Sequence, residues 1–370
     1  MTLSVCHVID NLTQGGAQSL VKDIVVHSPE RIDHSVCTLG HDTTLAADFQ
    51  AAGIDLLPCN GSFRFDPRAL YRLFRHLRRG SFDVVHAHLA YAQTFARLLA
   101  PLARTGPVVS TYHDAPQTYC RDWHMRLGEK LTRPLDDVSI GVSASVAEGF
   151  CETFYFCRFG NISVIDNGVD VADLRDRLAS ADGTAVRSDL GLSGEELLYL
   201  NVGRLAPKKR QCDLIDAMAL LDEHSKITLV LVGGGERESN LRRRVAELGL
   251  QDSVTVTGRV PEVEPYYAAA DVYVHAALYE GWPLTIAEAL TADLPLVAPN
   301  APGTRDVVGD AGILVEPRSP KALSEAMRRL VDEDQRDTLS SRSRAQAEKC
   351  HIERTVDEYV ELYDRVVSRR

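Results

Sequence analysis

Apolar residues recur along this chain in two alternating rhythms. Leu3 to Ile9 is a short, nearly continuous apolar run, and after a Gly15-Gly16 turn Leu20, Val21, Ile24 and Val25 repeat at helical spacing. That order predicts a strand followed by a helix. Strand candidates recur at His34 to Leu39, Val84 to His86, Val108 to Thr111, Ser139 to Val142 and Ile162 to Ile165, with helical patterns between most of them. Alternation of this kind predicts a mostly parallel, doubly wound α/β sheet. The scheme then restarts at Leu197 to Val202 and continues through Thr228 to Val232, Val254 to Thr257, Val272 to His275 and Leu296-Val297. Two Rossmann-like domains are therefore expected, over residues 1–175 and 176–350, parted in the region between Gly168 and Gly194, where Ala179 to Gly183 is rich in turn formers. Residues 351–370 form a last helix. Its stripe of Val356, Tyr359, Val360, Tyr363 and Val367 needs a partner surface. Open sheets of this type bind ligands at the carboxyl ends of their strands, so a cleft between the domains is the expected site.

At 370 residues with 45% hydrophobic content the chain can fill two cores. A formal charge of −11 argues against a general nucleic-acid binder, which must neutralise phosphates with Lys and Arg. The 8 cysteines form no CxxC pair, so neither a zinc ribbon nor a disulfide framework is indicated. The N-terminal apolar run is too short for a signal peptide or a membrane span, and a cytoplasmic location is expected.

The densest chemical signal is Glu280-Gly281-Trp282-Pro283-Leu284-Thr285-Ile286-Ala287-Glu288. Pro283 suits the first turn of a helix, which leaves Glu280 just outside it and Glu288 on its second turn. A helix N-terminus attracts phosphate, and carboxylates accept hydrogen bonds from hydroxyls. A phosphate flanked by hydroxyls describes a nucleotide-sugar. Gly203-Arg204-Leu205-Ala206-Pro207-Lys208-Lys209-Arg210 comes directly off a strand and places cations at its carboxyl edge, where they suit a diphosphate or form a solvated basic loop. Gly15-Gly16 and Gly233-Gly234-Gly235 each follow a strand, and each is either a close-approach loop for a ligand or a tight turn. The full GxGxxG dinucleotide pattern is absent.

Histidines stand at strand ends in His86-Ala87-His88 and Thr111-Tyr112-His113-Asp114. Strong zinc spacings are missing, so the expectation is no metal and no cofactor, with His113 contacting substrate. Asp332-Glu333-Asp334 is an Asp-x-Asp, but it follows a helical run and reads as a solvated helix end. The stretch from Arg64 to Arg79 carries six arginines interleaved with Phe65, Leu70, Phe74 and Leu77. It reads as a basic amphipathic helix for an anionic membrane surface or an acidic acceptor, or as a solvated helix face.

Taken in order along nearly the whole chain, these pieces resemble glycosyltransferase family four, a group of retaining enzymes with the two-domain GT-B fold. The resemblance rests on Gly15-Gly16, Asp83 to His88, Thr111 to Asp114, Asp166-Asn167-Gly168-Val169-Asp170, Val202-Gly203-Arg204 with Lys209, the two-glutamate segment, Pro302-Gly303-Thr304 and Gly312 to Val315. It implies that Glu280 contacts the donor sugar, Glu288 the ribose hydroxyls, Arg204 and Lys209 the diphosphate, and His113 the sugar. It also implies that the first domain faces the acceptor and that the last helix crosses back onto it. Gly203, Gly233, Gly234, Gly281, Trp282, Pro283, Leu284 and Thr285 complete the expected nucleotide-sugar site, with Gly15 and Gly16 across from them. Two departures stand out: Arg210 where a glycine commonly follows the lysine, and Gln18 where glutamate is common.

The resulting expectation is a retaining transfer of sugar from a nucleotide diphosphate-sugar to a hydroxyl of a glycan or lipid-linked acceptor, at the inner face of a membrane. A nucleotide-sugar epimerase or hydrolase, or an inactive nucleotide-sugar-binding scaffold subunit, would use the same fold.

Overall fold

The computed structural model describes residues 2–13, 15–42, 44–62, 65–119, 122–154, 162–192, 194, 196–221 and 226–369. Arg64 at the head of the basic stretch, Cys120, Cys157 and Asn161 lie outside them. The chain divides into two compact units, Met1–Gly168 together with Ile352–Arg370, and Val169–His351. The first division falls between Gly168 and Val169, because the helix Val171–Ser180 already belongs to the second unit.

The first unit is built on seven strands: β1 (Leu3–Ile9), β2 (Ile32–Gly40), β3 (Asp55–Gly61), β4 (Val84–His88), β5 (Val108–Tyr112), β6 (Val138–Gly141) and β7 (Ser163–Val164). All pair in parallel, in the order β3-β2-β1-β4-β5-β6-β7. The second unit has six, β8 (Leu197–Val202), β9 (Ile227–Val232), β10 (Val254–Gly258), β11 (Val272–Val274), β12 (Leu296–Pro299) and β13 (Gly312–Val315). Their order is β10-β9-β8-β11-β12-β13. Each sheet runs outward from its first strand in one direction and then reverses, so each has a topological switch point, between β1 and β4 and between β8 and β11. Every strand of the sequence reading is present. β3 was missed because Pro58 and Asn60 interrupt its pattern, and a proline is tolerated there because β3 lies at the sheet edge. The strand expected to reach His275 ends at Val274.

Parallel strands are buried on both faces, and β9 shows it, with all of Ile227–Val232 buried. In the first unit the face beneath the helix Pro67–Gly80 contains Cys6, Cys37 and Cys59, all fully buried among Leu73, Leu77 and Val85. Burial and mutual contact push the Cys37 and Cys59 thiols upward, so they pack as small neutral groups. The last helix, Ile352–Ser368, belongs to this same unit and buries Val356, Tyr359, Val360 and Tyr363. Each such side chain contributes about 1.5–3 kcal/mol of hydrophobic stabilisation. Its two tyrosines also satisfy buried polar groups: the Tyr363 hydroxyl is 2.6 Å from His86 Nδ1 and the Tyr359 hydroxyl 3.3 Å from Thr111 Oγ1. Arg97, fully buried, is paired with Glu129 at 2.7 Å and Asp136 at 2.8 Å. Among the described residues no helix is long and apolar enough to cross a membrane.

Candidate functional site

The second unit assembles the two-glutamate segment at its switch point. After β11 the chain runs through His275 to Glu280, then Pro283 caps the helix Leu284–Thr291. Pro283 lies one residue before the helix rather than inside its first turn, since its ψ of 101° is extended. Glu288 falls on the second turn. The Glu280 segment is braced from behind by the loop after β12: the Glu280 N–H donates to the Pro302 carbonyl at 3.1 Å. Gly303, at φ +77°, passes so close that a Cβ there would lie 2.1 Å from the Glu280 carbonyl oxygen.

Glu280 is buried, yet its carboxylate is surrounded by cations. Lys209 Nζ lies 2.5 Å from Oε1 and Lys208 Nζ 3.5 Å from Oε2, while His275 Nε2 is 3.7 Å away. Lys209 and Oε1 form a close ion pair, and the several lone-pair sites of a carboxylate leave room for further donors. Burial alone would raise the Glu280 carboxyl, but Lys209 and Lys208, helped by His275, outweigh it and hold the acid well below the usual carboxylate range. It is therefore ionised and can only accept hydrogen bonds. Glu288 is the opposite case: burial pushes its carboxyl upward, and the Tyr267 hydroxyl donates to it at 2.7 Å. The two acids of the motif thus occupy different electrostatic environments.

The lysines arrive on the loop after β8. Gly203 sits at φ +154°, and Gly233 at φ +135° comes so near that a Cβ on it would lie 2.1 Å from the Gly203 carbonyl oxygen. Leu205 N–H donates to the Gly234 carbonyl at 3.0 Å, so the two glycine loops brace each other. Arg204 is exposed and makes no ion pair among the described residues. Arg210 adopts the left-handed region, φ +53°, which explains why glycine suits the position; its guanidinium is held by Asp213 at 2.5 and 2.9 Å. Trp282 is buried, and Leu284 and Thr285 open the helix. The sequence reading missed three participants: Lys208, Tyr267 and His275. His275 has both ring nitrogens buried without a hydrogen-bond partner, and its place directly after a strand was the signal available for it.

In the first unit Gly15 caps the helix Gly16–His27 beside the switch point. Gln18 folds back over the loop, donating to Asn11 Oδ1 at 3.2 Å, and its Oε1 would have to shift to admit a Cβ on Gly15, which it would meet at 2.8 Å. His113 follows β5 and donates its backbone N–H to the Tyr119 hydroxyl at 3.0 Å. Its Nε2 lies 2.9 Å from His88 Nδ1, and its Nδ1 is buried without a partner. His7, His86 and His88 place nitrogens within 4.8 Å of one another, a metal-like cluster. Both nitrogens of His86 are engaged, with Tyr363 and Thr111 Oγ1, and His7 and His88 are bonded to each other at 3.1 Å. Asp332 caps the helix Glu333–Ala347, accepting from the Gln335 N–H at 3.0 Å, which accounts for the Asp-x-Asp.

Two family profiles match the chain: "Glycosyltransferase Family 4" over residues 14–173 and "Glycosyl transferases group 1" over residues 183–349. Among curated proteins, a D-inositol 3-phosphate glycosyltransferase of Geodermatophilus obscurus is 33% identical over 345 residues, covering 86% of this chain and 74% of that protein. The Escherichia coli UDP-Gal:alpha-D-GlcNAc-diphosphoundecaprenol alpha-1,3-galactosyltransferase is 25% identical, covering 82% and 81%. Among solved structures, Anabaena Alr3699/HepE in complex with UDP-glucose superposes with a TM-score of 0.83 at 21% identity over 100% of both chains, a likeness of fold. The two-sheet architecture is that of GT-B glycosyltransferases.

Proposed function

Because the chain belongs to glycosyltransferase family four, we propose that it is a retaining enzyme moving a sugar from a nucleotide diphosphate-sugar to a hydroxyl of a glycan or lipid-linked acceptor. The observation that carries this reading is Glu280, a buried carboxylate kept ionised by Lys209 and Lys208 at the start of a helix. A protein that buries an ionised acid with open accepting capacity has built a clamp for a donor such as a sugar hydroxyl. Glu288 takes the ribose hydroxyls, and His113 a further oxygen of the sugar.

The bond from the anomeric carbon to the diphosphate oxygen breaks, and the acceptor oxygen forms its bond on the same face. The acceptor's proton passes to the departing phosphate oxygen. Arg204 and Lys209 stabilise the negative charge that grows on the diphosphate, as does the N-terminus of Leu284–Thr291. Neither carboxylate needs to act as a nucleophile, unlike the pair in a retaining glycosidase. A UDP-hexose is the donor to test first, since relatives and structural neighbours are named with UDP-Gal and UDP-glucose.

On the first unit, a cavity of about 310 Å³ at the carboxyl ends of β1, β2 and β3, lined by Asp10, Asn11, His41, Asp42, Asp66 and Tyr91, offers room and hydrogen-bonding groups for an acceptor. The helix Pro67–Gly80 beside it supplies an arginine-rich face for an anionic bilayer, consistent with work at the inner face of a cell membrane.

The test is transfer from a UDP-hexose by purified variants. Glu280→Gln, Arg204→Ala and Lys209→Ala are each expected to lower kcat/KM by about tenfold or more, about 1.4 kcal/mol of transition-state stabilisation, with unchanged far-UV circular dichroism. Full activity in all three overturns the assignment. Incubation with donor but no acceptor separates an epimerase, which would convert it unaided.

A further inference from the structure

Four histidines of the first unit form a continuous row across its sheet. His34 lies on β2, His7 on β1, His88 at the end of β4 and His113 just after β5, and these strands are neighbours in that order. His34 Nδ1 is 3.0 Å from His7 Nε2, His7 Nδ1 is 3.1 Å from His88 Nε2, and His88 Nδ1 is 2.9 Å from His113 Nε2. The ring centroids are spaced 5.1, 5.4 and 5.2 Å apart. Neighbouring strands lie about 4.8 Å apart, so one imidazole per strand, joined nitrogen to nitrogen, matches the pitch of the sheet.

The connectivity leaves little freedom. Every contact joins an Nδ1 to an Nε2, and the two ends of the row, His34 Nε2 and His113 Nδ1, are buried with no partner. Burial holds all four rings neutral, below their ordinary pKa. A neutral imidazole carries one N–H, so each ring donates once and accepts once. If one ring is Nδ1–H, its neighbours must be Nδ1–H as well, and the same holds for Nε2–H. Any mixed row sets two N–H groups or two lone pairs face to face at about 3 Å, at the cost of a buried hydrogen bond. The row therefore has two uniform states. In one, the spare N–H is at His34; in the other, it is at His113.

A buried orphan N–H is rarer than a buried orphan acceptor, so the favoured state puts the spare N–H where a ligand oxygen can receive it. We propose that His34, His7, His88 and His113 share one tautomer, Nδ1–H throughout, so that the row presents an N–H from His113 as a hydrogen-bond donor to an oxygen of the bound sugar. His7, His88 and His34 are positioning residues: they touch no substrate and act by fixing which nitrogen of His113 carries the proton. That the four rings share one tautomer follows from their contacts alone, whereas the choice of Nδ1–H and the sugar as recipient rest on the proposed transferase reading.

The test is long-range proton–nitrogen NMR of the full-length protein labelled with nitrogen-15 histidine, with ring assignments from single His→Phe variants. Four neutral Nδ1–H rings are expected; an imidazolium or an Nε2–H ring among the four overturns the proposal. His34→Gln can still donate to His7 Nε2 and is expected to keep His113 as Nδ1–H. His34→Glu only accepts there and is expected to turn His113 to Nε2–H. An unmoved His113 tautomer in folded His34→Glu also overturns it, and if that variant fails to fold the wild-type spectrum decides alone. A switched tautomer should lower transfer about tenfold in kcat. If the tautomer switches and transfer from a UDP-hexose is unchanged, the shared row stands and the sugar contact of His113 falls.

Discussion

Gly303 shows how a single missing side chain holds the Glu280 segment. Its φ of +77° is left-handed, and the space for a Cβ is already taken by the Glu280 and Gly281 carbonyl oxygens, at 2.1 and 2.8 Å. Both obstacles are backbone, so neither can turn aside. Gly303→Ala is therefore expected to cost about 1–3 kcal/mol in urea unfolding, from the conformation and the displaced backbone together. A loss below about 0.5 kcal/mol would show that the Glu280 loop is not clamped by this contact. At this scale the sequence was informative about identity and silent about partnership. Glu280, Lys209 and Gly303 were all legible as motif residues, but that Lys209 rests on Glu280 could not be read from positions so far apart in the chain. Lys208, Tyr267 and His275 were missed for the same reason, because their importance lies in what they touch.

At the scale of the element, the helix Pro67–Gly80 tests how far amphipathic reading carries. Asp66 caps it, accepting from the Arg68 N–H at 2.9 Å, and Ala69, Leu73 and Leu77 face the core. Leu77 was expected on the apolar face; Phe74 is only partly buried and Phe65 is exposed, stacking edge-on with Tyr91 and Phe95. Two of the arginines bind backbone carbonyls with their guanidinium groups, Arg72 to Cys59 at 2.8 Å and Arg78 to Ala103 at 3.3 Å. Arg68, Arg75 and Arg79 remain on the solvent face with the exposed ring of Tyr71. If this face meets an anionic bilayer, the triple variant Arg68→Glu, Arg75→Glu, Arg79→Glu should lose most sedimentation with phosphatidylserine-containing vesicles, since each basic residue contributes about 1 kcal/mol near such a surface. Equal sedimentation of variant and parent, or none by the parent, removes the membrane from the proposal.

For the whole molecule, the histidine row and the neighbouring His86 set the response to acid. Burial holds His7, His86 and His88 well below their ordinary 6.5, His34 near about 4 and His113 near about 3. The unfolded chain takes up these protons below pH 6.5 and the folded chain does not. Stability is thus complete above pH 6.5 and declines as pH falls toward the folded values, by up to about 1.4 kcal/mol per pH unit for each ring. His86, packed against His88 of the row, is contacted by the neutral hydroxyls of Tyr363 and Thr111 and by the ring of Tyr359, which offer its imidazolium no compensating charge. Carboxylates held low, such as Glu280, begin to act only below their ordinary 4.5, so between pH 6.5 and 4.5 the decline belongs to the histidines. Urea unfolding at pH 7.5, 6 and 5 should show the decline beginning near 6.5. A flat profile down to pH 5 would mean that the histidines are not buried and neutral.

The sequence by itself determined the alternation of strand and helix, the two-sheet plan and the family, because short-range periodicity and ordered motifs are local properties of a chain. It also placed His113 and Arg204 just past the ends of strands, where the structure has them. It did not contain β3 in recognisable form, since an edge strand tolerates the proline that disguises it. Only the tertiary structure decided that Glu280 is ionised, that Glu288 sits in a different field, and that His34, His7, His88 and His113 lie in one row. Those are consequences of strand order, and parallel pairing brings together residues tens of positions apart, at distances where one proton's location fixes the next.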